Sequence, residues 1–99
     1  MNQFFEDLGR RWVKAAARRD ARIDAPTLDP RVALELLELA RVAAHTHERR
    51  FAPLSCFMAG VAAERLRTAK PGLDDAAVAA YIEDVRQELE TEAPAPSER

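Results

Sequence analysis

The feature that most limits how this chain can fold is the segment 51–63, its longest run without a charged residue. Apolar side chains recur in this run at the spacing of an α-helix: Leu54, Phe57, Met58, Val61 and Ala62. Small residues occupy the other face and would let a neighbouring helix approach closely: Cys56, Ala59, Gly60 and Ala63. The run is too short to span a bilayer. The sequence therefore predicts a helix over residues 53–69, beginning at Pro53, that is buried at the centre of the fold.

Three further helices are predicted from capping signals and apolar periodicity. Helix one, over 3–19, has a stripe of Phe4, Phe5, Leu8, Trp12, Ala15 and Ala16. Helix two, over 30–48, begins after Asp29, because a carboxylate can cap a helix whose first residue is Pro30. Helix four, over 74–90, opens at Leu73-Asp74 and carries the stripe Val78, Tyr81, Ile82, Val85 and Leu89.

The predicted fold class is all-α. No segment alternates apolar and polar residues with β-branched enrichment, so no strand is expected. Ninety-nine residues with three Gly and six Pro favour one helical domain over 1–90. We expect a compact four-helix bundle, orthogonal and built around the central helix, with an up-and-down bundle as the alternative. The tail 91–99 has nothing to bury and is predicted to be disordered.

Charge is unevenly distributed along the chain. Fifteen Lys and Arg residues against seventeen Asp and Glu give a net charge of −2. The chain as a whole therefore lacks the positive charge that nucleic-acid-binding proteins usually carry. Helix one nevertheless has a basic face made of Arg10, Lys14 and Arg18, flanked by Arg11, Arg19 and Arg22. The segment 74–99 holds eight acidic and two basic residues. The basic face is interpreted as a solvated surface, with an acidic protein partner or a phosphate backbone as alternatives.

Chemistry-bearing residues are few. Glycine-rich phosphate loops and clustered carboxylates are missing from the sequence, so we expect neither an enzyme nor a bound cofactor. The single cysteine, Cys56, is interpreted as a small hydrophobe on a buried helix. It also favours a reducing, cytoplasmic location, and neither a signal peptide nor a membrane span is expected.

His45, His47 and Glu48 invite comparison with a metal site, because imidazole and carboxylate are common metal ligands. Residues two apart on a helix point roughly 200° away from each other, which separates the two histidines. The favoured interpretation is a histidine stabilised at a helix carboxyl end. No metal site is therefore predicted, and the metal-binding alternative is left to metal analysis of the protein.

Two segments, 37–45 and 48–60, resemble a small actinobacterial family of helical domains of unknown function. The resemblance lies in a leucine-alanine-arginine pattern ending at Arg41, an alanine-histidine pair ending at His45, and the run from Arg49 through Pro53 to Ser55. Some members of that family lie beside, or are fused behind, nucleotidyltransferases that attach guanosine monophosphate to molybdopterin. The resemblance thus implies a helical fold and a link to molybdenum-cofactor biosynthesis.

The matched residues also suggest a site. Arg41, His45 and Arg49 are predicted on successive turns of one helix face, and Ser55 follows at the start of helix three. With the first amides of helix three they could form a small anion-binding or partner-docking site.

The sequence is interpreted as a non-catalytic accessory module that binds a protein partner, such as a molybdopterin nucleotidyltransferase, or self-associates through an apolar face. Phe4, Phe5 and Trp12 on helix one are its candidate contact residues. The alternative is a small nucleic-acid-binding regulator that uses the basic face of helix one.

Overall fold

A computed structural model describes residues 2–92 of the chain. Its regular structure consists of helices α1 (Gln3–Ala17), α2 (Pro30–Thr46), α3 (Phe51–Ala69) and α4 (Asp75–Glu90). No strand occurs within residues 2–92, so the all-α prediction is confirmed. None of the helices in this range combines the length and the apolar character needed to cross a membrane. The predicted tail falls mostly on residues 93–99, which lie outside the described part.

Local capping chemistry explains where the helices begin. The side chain of Asn2 accepts a hydrogen bond from the Phe5 amide at 3.3 Å, and that of Asp74 accepts one from the Ala77 amide at 2.9 Å. Each bond satisfies an amide that has no partner inside its own helix. α2 begins at Pro30, as the sequence predicts, because proline has no amide hydrogen to lose there.

Two helices end earlier than predicted. α1 stops at Ala17 rather than residue 19, because Asp20 adopts a left-handed backbone (φ 60°) and the Ala21 amide bonds back to the Ala16 carbonyl at 2.9 Å. This arrangement closes a helix by satisfying its last carbonyls. α2 stops at Thr46 rather than residue 48, and the Thr46 hydroxyl donates to the Val42 carbonyl at 2.8 Å.

The start of α3 was also misplaced by two residues. The helix begins at Phe51, so Pro53 is its third residue rather than its first. A proline is tolerated in the first turn because the amides there have no carbonyl partner within the helix. Pro53 therefore does indicate the start of α3, but it lies within the first helical turn and is not the first residue.

Backbone contacts divide the chain into two compact units, a finer division than the single domain predicted. The first unit ends at Pro30 and contains α1 with the segment that follows it. Gly9 is the buried residue of α1, and a Cβ atom placed on it would lie 2.8 Å from the Pro26 carbonyl oxygen. The returning segment thus crosses α1 at a position that only glycine fits.

The second unit begins at Arg31 and contains α2, α3 and α4. Its core cluster joins Leu39 of α2, Ala63 of α3, and Val78 and Ile82 of α4. Partly buried side chains pack against this cluster: Val32, Leu36, Ala59 and Leu89. Val42 and Val78 are each only 2% exposed, and they are among the most tightly enclosed side chains of the unit.

The prediction that the apolar face of α3 is buried is wrong. Leu54, Phe57 and Met58 are 62%, 74% and 70% exposed, whereas the core contact of α3 is made by the side that carries Ala59 and Ala63. Small side chains at Ala59 and Ala63 let α3 approach its neighbours closely, so these two residues face the core. Gly60, predicted on the same face, is exposed. The bulkier side lies about half a turn away and cannot enter the same core.

Candidate functional site

The predicted site at Arg41, His45, Arg49 and Ser55 is not assembled as expected. Arg41 forms ion pairs with two carboxylates: its Nη2 donates to Glu38 Oε1 at 2.9 Å and to Glu90 Oε2 at 3.1 Å. The hydrogen bonds that Arg41 donates to Glu38, and then to Glu90, raise the pKa of its guanidinium. Its charge is therefore already matched within the protein, which reduces its pull on an external anion.

The helix end separates the other members of that site. Because α2 stops at Thr46, Arg49 lies in the following turn and not one helical turn beyond His45. The first amides of α3 are also engaged, since Phe51 donates to the Glu48 carbonyl at 3.0 Å and Ala52 to the Arg49 carbonyl at 3.1 Å. An anion would have to displace these bonds, so this corner is a poor anion site.

The histidine cluster is likewise dispersed. Nδ1 of His47 lies 2.9 Å from the Thr46 hydroxyl, and its Nε2 lies 3.5 Å from Oε1 of Glu92. His45 is exposed on the last turn of α2. Within residues 2–92, no three His, Cys, Asp or Glu side chains come together in a way that could hold a metal ion.

Cys56 lies at a half-buried position on the inner side of α3. Its thiol donates to the Leu36 carbonyl on α2, with Sγ 3.5 Å from the oxygen. Burial raises the pKa of the thiol, which disfavours the reactive thiolate. The interpretation of Cys56 as a small packing residue agrees with this placement.

The basic face of α1 forms a shallow polar cleft of about 280 Å³, lined by Asp7, Arg10, Arg11, Lys14 and Arg18. Asp7 accepts hydrogen bonds from Gln3, at 3.0 Å, and from Arg10. The Gln3 bond and the neighbouring Arg10 lower the pKa of Asp7, which keeps it ionised. One carboxylate therefore offsets part of the positive charge that the sequence predicted for this face.

The outer face of α3 exposes several large apolar side chains of the second unit. We call this surface the α3 face and define it by Leu54, Phe57, Met58 and Val61. Beside it, Val85 of α4 is 51% exposed. The four side chains that define the face are all apolar. The face is suited to covering by another apolar surface.

Two shallow grooves extend the α3 face toward its neighbours. A groove of about 490 Å³ runs between α3 and α4 and is lined by Phe57, Met58, Val61, Ala62, Arg65, Leu66 and Tyr81. A second groove, of about 260 Å³, is lined by Leu39, Ser55, Met58, Ala59, Ala62, Tyr81, Ile82, Val85 and Leu89. Ser55, predicted to bind an anion, thus lies on the wall of an apolar groove. These grooves give the face the concave flanks that an inserted side chain needs.

The helical spacing of apolar residues identifies the residues of the α3 face, but the prediction that they lie in the core is wrong. The missed signal is that α3 has two apolar stripes, a bulky one and a small one, whereas a helix packed on one side needs only one. Both stripes are apolar, so periodicity alone could not show which of them faces α2 and α4.

A charged cluster between α2 and α4 also escaped prediction. Arg86 Nη2 donates to Glu35 at 3.2 Å, and both side chains are only about one-sixth exposed, at 15% and 16%. Arg86 also binds Glu90 at 3.0 Å, and Glu90 binds Arg41. The hydrogen bonds from Arg86 and then Arg41 lower the pKa of Glu90. Glu35 and Arg86 are 51 residues apart, so no local pattern could pair them.

No curated protein and no solved structure matches this chain. A family model described as a domain of unknown function, DUF6457, matches residues 6–97. This match covers α1 from Glu6 onward, the whole of α2, α3 and α4, and the turns between them. The chain therefore belongs to the DUF6457 family of domains of unknown function.

Proposed function

We propose that this chain is a non-catalytic protein-interaction module of the cytoplasm and that the α3 face is its binding surface. The observation that carries the proposal is the exposure of Leu54, Phe57 and Met58, each more than 60%, on a helix that is already packed on its opposite side. Burying one large apolar side chain is worth about 1.5–3 kcal/mol, so a partner that covers the face gains appreciable free energy.

The composition of the α3 face supports this function over a chemical one. Aromatic residues and Met are enriched at the centres of protein interfaces, and charged residues are depleted there. Phe57 and Met58 lie together at the middle of the face, and the surrounding segment 51–63 is uncharged. The charged residues Glu64 and Arg65 follow at one end, where an interface rim is expected.

The test compares two leucines of similar exposure. Leu54 on the α3 face is 62% exposed and Leu34 on α2 is 60% exposed, so Leu54→Asp and Leu34→Asp make the same chemical change at equally accessible positions. The tagged chain and both variants are used to capture proteins from the native organism, and captured proteins are identified and quantified by mass spectrometry. We expect Leu54→Asp to lose partners that Leu34→Asp retains. Equal retention by both variants contradicts the proposal.

We further propose a molybdopterin nucleotidyltransferase as the partner. The support is the resemblance of the segments 37–45 and 48–60 to domains found beside or fused to such enzymes, together with the surface that the α3 face offers. Calorimetric titration of the native organism's enzyme with this chain tests the pairing directly. Saturable binding that Leu54→Asp abolishes is expected. Because apolar burial changes the heat capacity, absence of heat at two well-separated temperatures rejects this partner.

A second function rests on the basic face of α1. Arg10, Arg11, Lys14 and Arg18 share one cleft, a geometry that suits contact with a phosphate backbone. Binding of duplex DNA or RNA at low salt, falling steeply as salt rises, is the expected signature. The double variant Arg11→Glu with Lys14→Glu should remove it, and no binding by the unmodified chain at low salt rejects this function.

A further inference from the structure

We propose that the α3 face binds the α3 face of a second copy of this chain, with the two helices antiparallel about a two-fold axis at Phe57. This inference rests on the proposed function, because it takes the α3 face to be a protein-binding surface, which a second copy of the chain covers when no other partner does. It is carried by the placement of opposite charges at equal distances on either side of Phe57.

The spacing of three residues sets the geometry. Arg50, Phe57 and Glu64 follow each other at intervals of seven residues, which is close to two helical turns, so they share one side of α3. Arg50 precedes Phe57 by the same distance by which Glu64 follows it. An antiparallel pair centred on Phe57 therefore sets Arg50 of each copy opposite Glu64 of the other, once at each end.

Both charges are available for such a contact. The side chains of Arg50 and Glu64 are each 79% exposed. Arg50 contacts its neighbour Glu48 at 2.9 Å, and Glu64 lies 3.6 Å from Arg67. These are exposed local pairs, which contribute little and can rearrange when a second copy approaches.

The same charges suit a neighbouring helix better than their own. Arg50 caps the amino end of α3 without a side-chain hydrogen bond, and the first turn contains no acidic residue. A cation at this end is unfavourable, because the helix dipole places partial positive charge there. Glu64 of an antiparallel second copy would bring a carboxylate to that end of the helix. The pairing thus adds a carboxylate at the end of α3 where Arg50 already contacts Glu48 of its own copy.

The shape of the face agrees with the charge pattern. The same two-fold axis brings Leu54 of one copy to the same height along the helix as Gly60 of the other. A Cβ atom built on Gly60 would meet nothing within 4 Å, so no side chain of the same copy obstructs a second helix there. Phe57 meets its symmetry mate at the centre, where two aromatic rings can stack.

The area of the seam predicts a weak dimer. Residues 50–64 extend about 21 Å at 1.5 Å per residue, which is a single helix face about three to four turns long. Stable interfaces bury about 800 Å² on each partner, and one helix face offers less than that. We therefore expect reversible association with a dissociation constant in the micromolar range. Apolar contact would stabilise the dimer, and the two charge pairs would fix the alignment of the two helices.

The test uses charge reversal at the two ends of the face. Sedimentation equilibrium of the full chain, from micromolar to millimolar concentration, should show a monomer that converts to a dimer. Arg50→Glu and Glu64→Arg should each weaken self-association about tenfold, because each creates two like-charge contacts. Mixing the two variants should restore a dimer, since the mixed pair regains both attractive contacts. Phe57→Asp should abolish association of every combination.

Matched controls keep these results specific. Lys70→Glu and Glu88→Arg each reverse one charge at exposed positions of the second unit that are not part of the α3 face, and should leave the association constant unchanged. Circular dichroism of each variant establishes that the helices are retained. Recovery on mixing also excludes misfolding, because two unfolded chains would not form the pair.

Two results would overturn the inference. A wild-type chain that stays monomeric at every concentration would exclude the second copy as partner, while the comparison of Leu54→Asp with Leu34→Asp would still decide whether another protein binds this face. A dimer that is unaffected by both charge reversals, or that mixing does not restore, would exclude the antiparallel arrangement about Phe57.

Discussion

Helix α3 has the longer uncharged segment, but α4 buries more side chains in the core. α3 contains the uncharged run 51–63, yet only Ala63 among its residues belongs to the buried core. α4 carries charged residues throughout, including Glu83, Asp84 and Arg86, and nevertheless buries Val78, Ala79 and Ile82. The difference shows that separation of polar and apolar faces decides what is buried. A helix that is apolar on two sides can place only one of them in a small core.

The largest expected effect contrasts the two helices directly. Ile82→Ala on α4 should lower the free energy of unfolding by about 2–5 kcal/mol, because Ile82 is 4% exposed and its loss leaves a cavity. Phe57→Ala on α3 removes a larger side chain but should change that energy by no more than about 0.5 kcal/mol. Urea unfolding at a concentration where the chain is monomeric measures both.

A large loss of stability in Phe57→Ala under those dilute conditions would break the comparison, because it would mean that the α3 face supports the folded monomer. The Leu34→Asp variant provides a reference for a polar change at an exposed position. Its unfolding curve gives the change in unfolding free energy that a polar replacement at an exposed position causes.

Adding one methyl group at Gly9 or at Gly60 should change stability in opposite directions, and the larger change is expected at Gly9. Gly9→Ala should destabilise the first unit by about 1–3 kcal/mol, because the new methyl group would meet the Pro26 carbonyl oxygen at 2.8 Å. Hydrogen exchange of the α1 amides measures the loss as reduced protection. Unchanged protection would show that the segment around Pro26 can move away without cost.

Gly60→Ala should act in the opposite direction. Nothing lies within 4 Å of a Cβ atom at Gly60, which lies inside α3, so the methyl group adds helix propensity without a clash. We expect a gain of about 0.5–1 kcal/mol in unfolding free energy, measured with urea on the dilute monomer. A loss instead would indicate that the outer side of α3 is covered in the monomer.

The charged side of α4 should respond to acid. The pKa of Glu90 in the folded chain is lowered from its ordinary 4.5 by Arg86 and Arg41, so its contribution to stability is complete above 4.5 and is lost as pH falls through the lowered value. Glu90→Gln should therefore lower Tm at neutral pH and have less effect in strong acid. The effect should be small, because exposed pairs are screened by solvent. A Tm difference that grows on acidification contradicts the assignment.

The smallest structural effect concerns the inner side of α3. Burial raises the pKa of Cys56, and its thiol is bonded to the Leu36 carbonyl, so the thiolate is scarce at neutral pH. We expect Cys56 to react with a thiol-specific reagent more slowly in the folded chain than in urea. Equal rates would place the thiol in solvent and reverse the assignment of inner and outer sides.

Local chemistry made much of the fold predictable. The four helices were placed within two residues at each end, because caps such as Asp74 and the first-turn residue Pro30 act within one helical turn. The stripe on α4 was assigned correctly in part, since Val78 and Ile82 are buried while Val85 is 51% exposed. The predicted ends of α1 and α2 are two residues late, because the chain leaves the helix in turns, as at Asp20, that periodicity does not show. The predicted start of α3 is two residues late because Pro53 fits any position of the first turn.

The candidate site was less predictable because it depends on distant neighbours. Arg41 matched a pattern that suggested anion binding, but Glu90 reaches it across 49 residues of sequence. Arg49 was placed on the helix by periodicity, which could not show that α2 ends at Thr46. The α3 face was identified by its residues and then assigned to the wrong side.

By itself, the sequence determined the helical class, the approximate helix bounds and the identity of the apolar residues on each stripe. These properties follow from interactions among residues a few positions apart. Only the tertiary structure decided that Ala59 and Ala63 face the core while Phe57 and Met58 face outward. That choice depends on how closely α2 and α4 can approach α3, and the approach distance is set by side-chain volumes on three helices at once.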